Sequence, residues 1–357
     1  IHNLWYTGVT DFDDWNDPFG SGQLDFTAWY KALFGLTDGA DIRNLRLENA
    51  NVAGTALIGG LVIRAKNSTF TNIHVSGHIK SGSIEQGGSA AGLVVEAENC
   101  HFEGCTSSAS VFARSNTGCL IGKVSGASTV VNCSANGEVT GCVSVGGLIG
   151  VSAKIEGDVT GATPEVRLCS SAATVTIITG RNQGNSGAGF IGLNEGTITQ
   201  CSATGKVNLM ADAAAGFCYD NRGLIASCSS TTDVTADDYG CYLAVFVGNN
   251  GLDVGYEKEG GTIMNCYGVG KVYAPAPPAD VISTGTHLCG FCMANYTSAG
   301  AYMANCYYNS TIVPEIETPG RPGEYGKTTA DLQSREFVDS LNFMAALMGT
   351  HLWQYNE

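Results

Sequence analysis

The 357 residues are 44% apolar and only 14% charged, and they carry a formal net charge of −15. That balance excludes nucleic acid and anionic membrane surfaces as partners, and no apolar run approaches the length of a membrane-spanning helix. Forty-eight glycines among abundant Val, Thr and Ser oppose helix and favour strand.

The chain opens on Ile1-His2-Asn3-Leu4, and that pattern recurs. Anchors fall at Leu4, Leu45, Ile73, Cys100, Cys133, Cys169, Cys201, Cys228, Cys266 and Cys306, with spacings of 41, 28, 27, 33, 36, 32, 27, 38 and 40. An apolar residue stands three positions before each anchor, and another follows most of them by six, as in Val139, Val175, Val207, Val234 and Val272. The position just before the anchor is Asn in seven of ten copies. The unit after Cys100 breaks the pattern, offering Cys105 and Thr106. Self-similarity at this period, with insertions, is the mark of a solenoid. Anchor, +2 and +6 share parity, as one face of a strand requires, whereas the odd step from −3 demands a bend. Asn tolerates the left-handed backbone of such a bend and can pass amide hydrogen bonds between stacked copies. The fold expected is all-β: a right-handed parallel β-helix of about ten coils, roughly 45–50 Å tall, with a short C-terminal α-helical cap.

Along the chain, the acidic and aromatic stretch around Asp11, Asp13, Asp14 and Asp17 is a candidate Ca²⁺ site. Its carboxylates suit Ca²⁺ but lack the full spacing of a calcium loop, so a solvated acidic loop is the competing reading. Trp15, in the same stretch, offers a face for stacking on a sugar. A short helix is predicted near 24–31. Ala32-Leu33-Phe34-Gly35 then begins a second recurring strand, seen again at Gly147-Leu148-Ile149-Gly150, Gly189-Phe190-Ile191-Gly192 and Gly290-Phe291-Cys292. Its glycines allow close backbone approach at a corner.

Residues at anchor +1 and +3 point outward. That phase stacks Arg46, His74 and His101 in one column and Glu48, Ser76 and Glu103 in the next. Two imidazoles about 5 Å apart beside carboxylates suit a transition metal or proton transfer; a solvated face with ordinary charge mixing is the preferred reading. Ser134, Ser170, Ser202 and Ser229 form an outward column with no histidine at their level, which reads as β surface. Tyr267 and Tyr307 share the outward +1 position, while Tyr308 faces in.

Insertions are expected near 10–31, 151–164, 251–261 and 274–286, making residues 1–313 the β-helix and 314–357 a turn-rich segment with the cap. In the cap, Thr328 is the N-cap with Asp331 three residues on. Leu332, Phe337, Val338, Leu341, Met344, Leu347 and Met348 follow at helical spacing, predicting a helix laid over the final coil to protect its open edge. Of fourteen cysteines, Cys100, Cys133, Cys169, Cys201, Cys228, Cys266 and Cys306 take the place of Leu4, Leu45 and Ile73. Cys218 and Cys292 replace Ile149, Ile191 and Val247. These are predicted to be free core thiols, since parallel stacked side chains fit disulfide torsions poorly. The spacing of Cys289 and Cys292 likewise follows the strand phase.

Gly147-Leu148-Ile149-Gly150, Gly192-Leu193-Asn194-Glu195-Gly196-Thr197-Ile198 and Asn265-Cys266-Tyr267-Gly268-Val269-Gly270-Lys271-Val272 resemble the GLUG-motif repeat family. The ending Gly326-Lys327-Thr328-Thr329-Ala330-Asp331-Leu332, with Trp353, is also similar to that family's. The resemblance implies a bacterial cell-surface or secreted repeat module, adhesin-like, and carries no catalytic set. The expectation is an adhesin or stalk that binds a host or microbial glycan or an extracellular protein through surface loops, as part of a larger chain and without a required cofactor. A polysaccharide-active lyase or glycoside hydrolase is the alternative, and an inert spacer the third reading.

Overall fold

The computed structural model describes residues 5–7, 30–82, 88–179, 184–210, 212–276, 286–313, 323–350 and 353–354. Its most regular coil shows how the sequence winds. A first strand, Thr197–Thr199, is followed by Ser202–Ala203, Lys206–Leu209, Ala213–Ala215 and Cys218–Asn221, before Leu224–Ala226 begins the next coil. Each strand pairs in parallel with its counterpart one coil away: Ile198 with Ile225, Val207 with Val234, Cys218 with Val247. The first three strands of every coil merge into one 24-stranded sheet, and the fourth and fifth each build a nine-stranded sheet. The chain is thus a parallel β-helix. Among the described residues the exception to parallel pairing is an antiparallel hairpin, Leu252–Val254 with Glu257–Glu259.

The bend before each anchor is left-handed, as its parity demands. Asn44, Asn72, Gly104, Asn132, Leu168, Gln200, Ser227, Asn265 and Asn305 have φ between 51° and 61°. Inside, like stacks on like. Phe190, Phe217, Phe246 and Phe291 form a column of rings with centroids 4.7, 4.7 and 4.6 Å apart, and Ile149, Ile191, Cys218, Val247 and Cys292 follow in the fifth strand. The glycines beside these columns are needed for space: a Cβ on Gly147 would meet the carbonyl oxygen of Gly189 at 2.1 Å. All fourteen cysteines are buried as thiols outside any disulfide.

Four expectations are corrected. Phe102 pairs with Phe70 and Val130, so the anchor of that coil is Cys105, and Val111 supplies the missing residue six later. Cys100 belongs to another corner, where Gly39, Asn67, Asn99 and Gly126 also have positive φ; a left-handed Asn followed by Cys occurs at both corners. Trp5–Thr7 pairs with Asn51–Ala53, not with the residues just after Leu45 as the repeat alignment expects; Leu4 itself lies outside the described residues. Tyr30–Lys31 is a strand paired to Leu57 and Ile58, where the end of a helix was expected; residues 24–29 lie outside the described residues.

The fourth correction concerns the cap. Thr328 and Asp331 do form a reciprocal capping box at α1 (Thr329–Leu332). Helix α2 (Arg335–Met348), however, lies along the flank of the last coils. Phe337 packs edge-on against Tyr267 and Tyr307, with centroids 6.0 and 5.1 Å away, and the Asn265 amide donates to the Leu341 carbonyl at 3.0 Å. The outward column explains the choice. It is serine through Ser229 and becomes tyrosine at Tyr267 and Tyr307, so an apolar helix stripe finds a partner on the flank only there. Ala345 completes that stripe, and Leu347 is exposed. The stack is instead extended by Glu324–Lys327, which pairs with Cys306–Asn309. The Glu324 carboxylate accepts from the Phe291 N–H at 2.8 Å.

Candidate functional site

The corner between the fifth strand and the next first strand is the best-braced edge of the rod. Asn194, Asn221, Asn250 and Asn295 stack there, each amide donating to the next carbonyl oxygen at 2.9, 2.8 and 2.8 Å. The first three are fully buried, and Asn194 also closes its own turn by accepting from the Gly196 N–H at 3.0 Å. A satisfied amide ladder fixes the height and direction at which each turn leaves the stack.

The residues just outside alternate in charge. Lys154 donates its backbone N–H to Glu195 at 2.9 Å and reaches Glu259 at 3.4 Å through Nζ. Arg222 lies 3.5 Å from Glu195 and 3.6 Å from Glu259. The Glu195 and Arg222 side chains are only 16% and 22% exposed, so these pairs are less screened than surface pairs.

Both insertions at this corner are tied to the ladder. The loop after Lys154 is turned by Asp158, which accepts from the Thr160 N–H and hydroxyl at 2.9 and 2.7 Å. Those bonds hold its carboxyl below the usual carboxylate range. The hairpin carries Glu259 at its base. Asp253 pairs with Lys258 at 3.3 Å and accepts from the Ser298 hydroxyl of the following coil. Beyond this bracing the loops present apolar tips, with Val159 99%, Val254 63% and Tyr256 fully exposed. Large apolar side chains held out on fixed loops are what a recognition surface needs.

The ionisable groups expected to form a site do not all meet. Arg46 and His74 are register partners, and Arg46 pairs with Glu48 at 3.0 Å. With Thr106, whose hydroxyl is 2.9 Å from His74 Nδ1, they border a hollow of about 200 Å³. Desolvation and the Arg46 guanidinium push the His74 pKa down, favouring the neutral imidazole. His101 is elsewhere. It pairs with Thr69 and Thr129, bonds the Thr129 hydroxyl at 2.5 Å, and lies 3.7 Å from Glu103. The expected pair of stacked imidazoles therefore does not form, because taking Cys100 for the anchor shifts that coil by five residues. Among the described residues no group of three or more His, Cys, Asp or Glu side chains is placed to hold a metal ion. Trp15, Asp11, Asp13, Asp14 and Asp17 lie outside the described residues.

The charged ladder was missed from sequence, though a signal existed. Glu195 and Arg222 occupy matching places in Asn194-Glu195-Gly196 and Asn221-Arg222-Gly223. Lys154 and Glu259 lack that frame, and only the fold brings them to it.

No family model and no curated protein matches the chain. Among solved structures, the chain is similar at 15% identity to QnrB1, a plasmid-mediated fluoroquinolone resistance protein, with a TM-score of 0.18 over 76% of this chain and 96% of that one. That likeness is too slight to carry an argument about fold or role.

Proposed function

We propose that this chain is a rigid display module of a bacterial cell-surface or secreted protein, an adhesin or stalk that binds a host or microbial glycan or an extracellular protein through its braced edge. The observation that carries the reading is the convergence of two insertions, separated by about a hundred residues of chain, on one ladder of alternating charge: Lys154 and Glu259 are 105 residues apart. Each insertion ends in an exposed apolar tip, and an ordered loop gives up less entropy on binding than a free one. The resemblance of the repeats to the GLUG-motif family supports the same location and role. An excess of negative charge directs the module toward neutral or basic partners.

The test is a glycan and extracellular-matrix protein array probed with the intact chain, beside a variant carrying Val254→Ser and Tyr256→Ser. Binding lost in the variant, with its melting curve unchanged, supports the edge. Equal binding by both refutes it, and release of reducing or unsaturated ends from a polysaccharide would establish the enzyme reading in its place.

A further inference from the structure

We propose that the groove between the C-terminal helices and the last coils is a binding site for a neutral saccharide, separate from the braced edge. The groove encloses about 700 Å³, large enough for one or two sugar rings. One wall is aromatic, with Tyr267, Phe337 and Trp353; the amides of Gln333 and Gln354 stand around it, while that of Asn309 is held by Thr311 and Thr329. None of the described residues that line it is charged.

Trp353 gives the site its direction. Its backbone N–H donates to Asn342 Oδ1 at 2.6 Å and its carbonyl accepts from Asn342 Nδ2 at 3.1 Å, so the residue is pinned to α2. Its ring leans on Tyr267 at a centroid distance of 5.2 Å. Yet the indole Nε1–H is buried and, among the described residues, has no hydrogen-bond partner. A donor withdrawn from water and left unpaired costs stability, and a ligand acceptor that reached it from the groove would recover that cost.

The lining chemistry selects the ligand class. A sugar ring has an apolar face of C–H groups that lies on aromatic rings, and hydroxyls at its edge that accept from indole N–H and exchange bonds with amides. The described residues of the groove give no counter-ion to a uronic or sialic acid, and the net charge of −15 repels both.

Neutral oligosaccharides (maltotriose, xylotriose and chitotriose) titrated into the intact chain by calorimetry test this. At least one is expected to bind, and Trp353→Phe, which removes the N–H, should weaken it about tenfold. Gln333→Ala, at an exposed position that carries no core packing, serves as a second variant and should weaken binding about threefold even if the Trp353 change disturbs the fold. The edge variant at Val254 and Tyr256 should bind the sugar as the parent does, which separates this site from the array result. No heat from any of the three sugars at about 10 mM, or affinity unchanged in both groove variants, overturns the proposal.

Discussion

The backbone N–H of Cys169 donates to the sulfur of Cys201, 3.4 Å away in the next coil, and the Cys201 thiol reaches the Thr199 carbonyl at 3.2 Å. The same step links Cys105 to Cys133, Cys133 to Cys169, Cys201 to Cys228 and Cys228 to Cys266. The left-handed residue before each anchor turns the anchor N–H out of the ordinary strand ladder. A neighbouring sulfur is then its acceptor. This is a role that Val or Leu at the anchor could not fill, and the small thiol fills it without the desolvation cost of a hydroxyl.

Replacing Cys201 with Ala should therefore remove buried sulfur contacts and orphan the Cys169 N–H together. The expected loss is about 2–3 kcal/mol, read as a lower urea midpoint. Burial pushes the thiols of Cys201, Cys218, Cys266 and Cys306 well above their ordinary range. Because all fourteen cysteines are buried, the folded chain should resist a thiol reagent at neutral pH, and all of them should react once denaturant is added. Rapid labelling of the folded chain, or an Ala variant as stable as the parent, would count against the sulfur ladder.

Leu168 is the misfit of the bend column. It holds φ 57° where Asn44, Asn72, Asn132, Asn265 and Asn305 hold the same conformation, and its side chain is 40% exposed. A Cβ-branching penalty does not apply to Leu, but the left-handed region still disfavours it by roughly 1 kcal/mol relative to Asn. Leu168→Asn should stabilise the chain by about that amount. A midpoint that falls would show that Leu168 packs against something worth more than its backbone strain.

That column also shows how far the sequence could be read. Parity alone demanded a bend, and the recurrence of Asn supplied its handedness, so the coil could be assembled from Cys133 onward. Asn99-Cys100 misled because it has the chemistry of the bend at a different corner; only strand pairing, Phe102 with Phe70, separates the two. The helical stripe of α2 was visible as a stripe, but its partner was not. Nothing local shows that Tyr267 and Tyr307 would offer the flank as a docking face. The charged edge depended on contacts such as Lys154 with Glu259, which have no trace in local sequence.

Arg222 is the centre of that edge, between Glu195 and Glu259. Arg222→Met keeps most of its apolar stem and deletes the charge, leaving two carboxylates facing each other across one coil. The hairpin, Leu252–Val254 with Glu257–Glu259, should lose about 1–2 kcal/mol of local stability. Amide hydrogen exchange is the measurement: faster exchange confined to residues 252–259 is expected, and salt should narrow the difference from the parent. Unchanged protection there would mean that the amide ladder alone holds the corner.

Asp220 gives the fold a pH dependence whose sign can be worked out. Its carboxylate lies next to the ladder and accepts from the Asn249 amide at 2.7 Å. Burial nonetheless raises its pKa above the ordinary value, the desolvation outweighing Asn249 and Arg222. A carboxyl whose folded pKa is raised ionises more easily in the unfolded chain. Its cost to the fold is absent below about pH 4, where both states are protonated, and grows as pH climbs from there through the folded value. Asp220→Asn keeps an oxygen to accept from Asn249 and removes the ionisation. The variant should melt higher than the parent at pH 7, and the gain should vanish as pH falls below about 4. A difference that is constant across that range, or a variant less stable at pH 7, would show that the Asp220 charge is solvated or compensated at this corner.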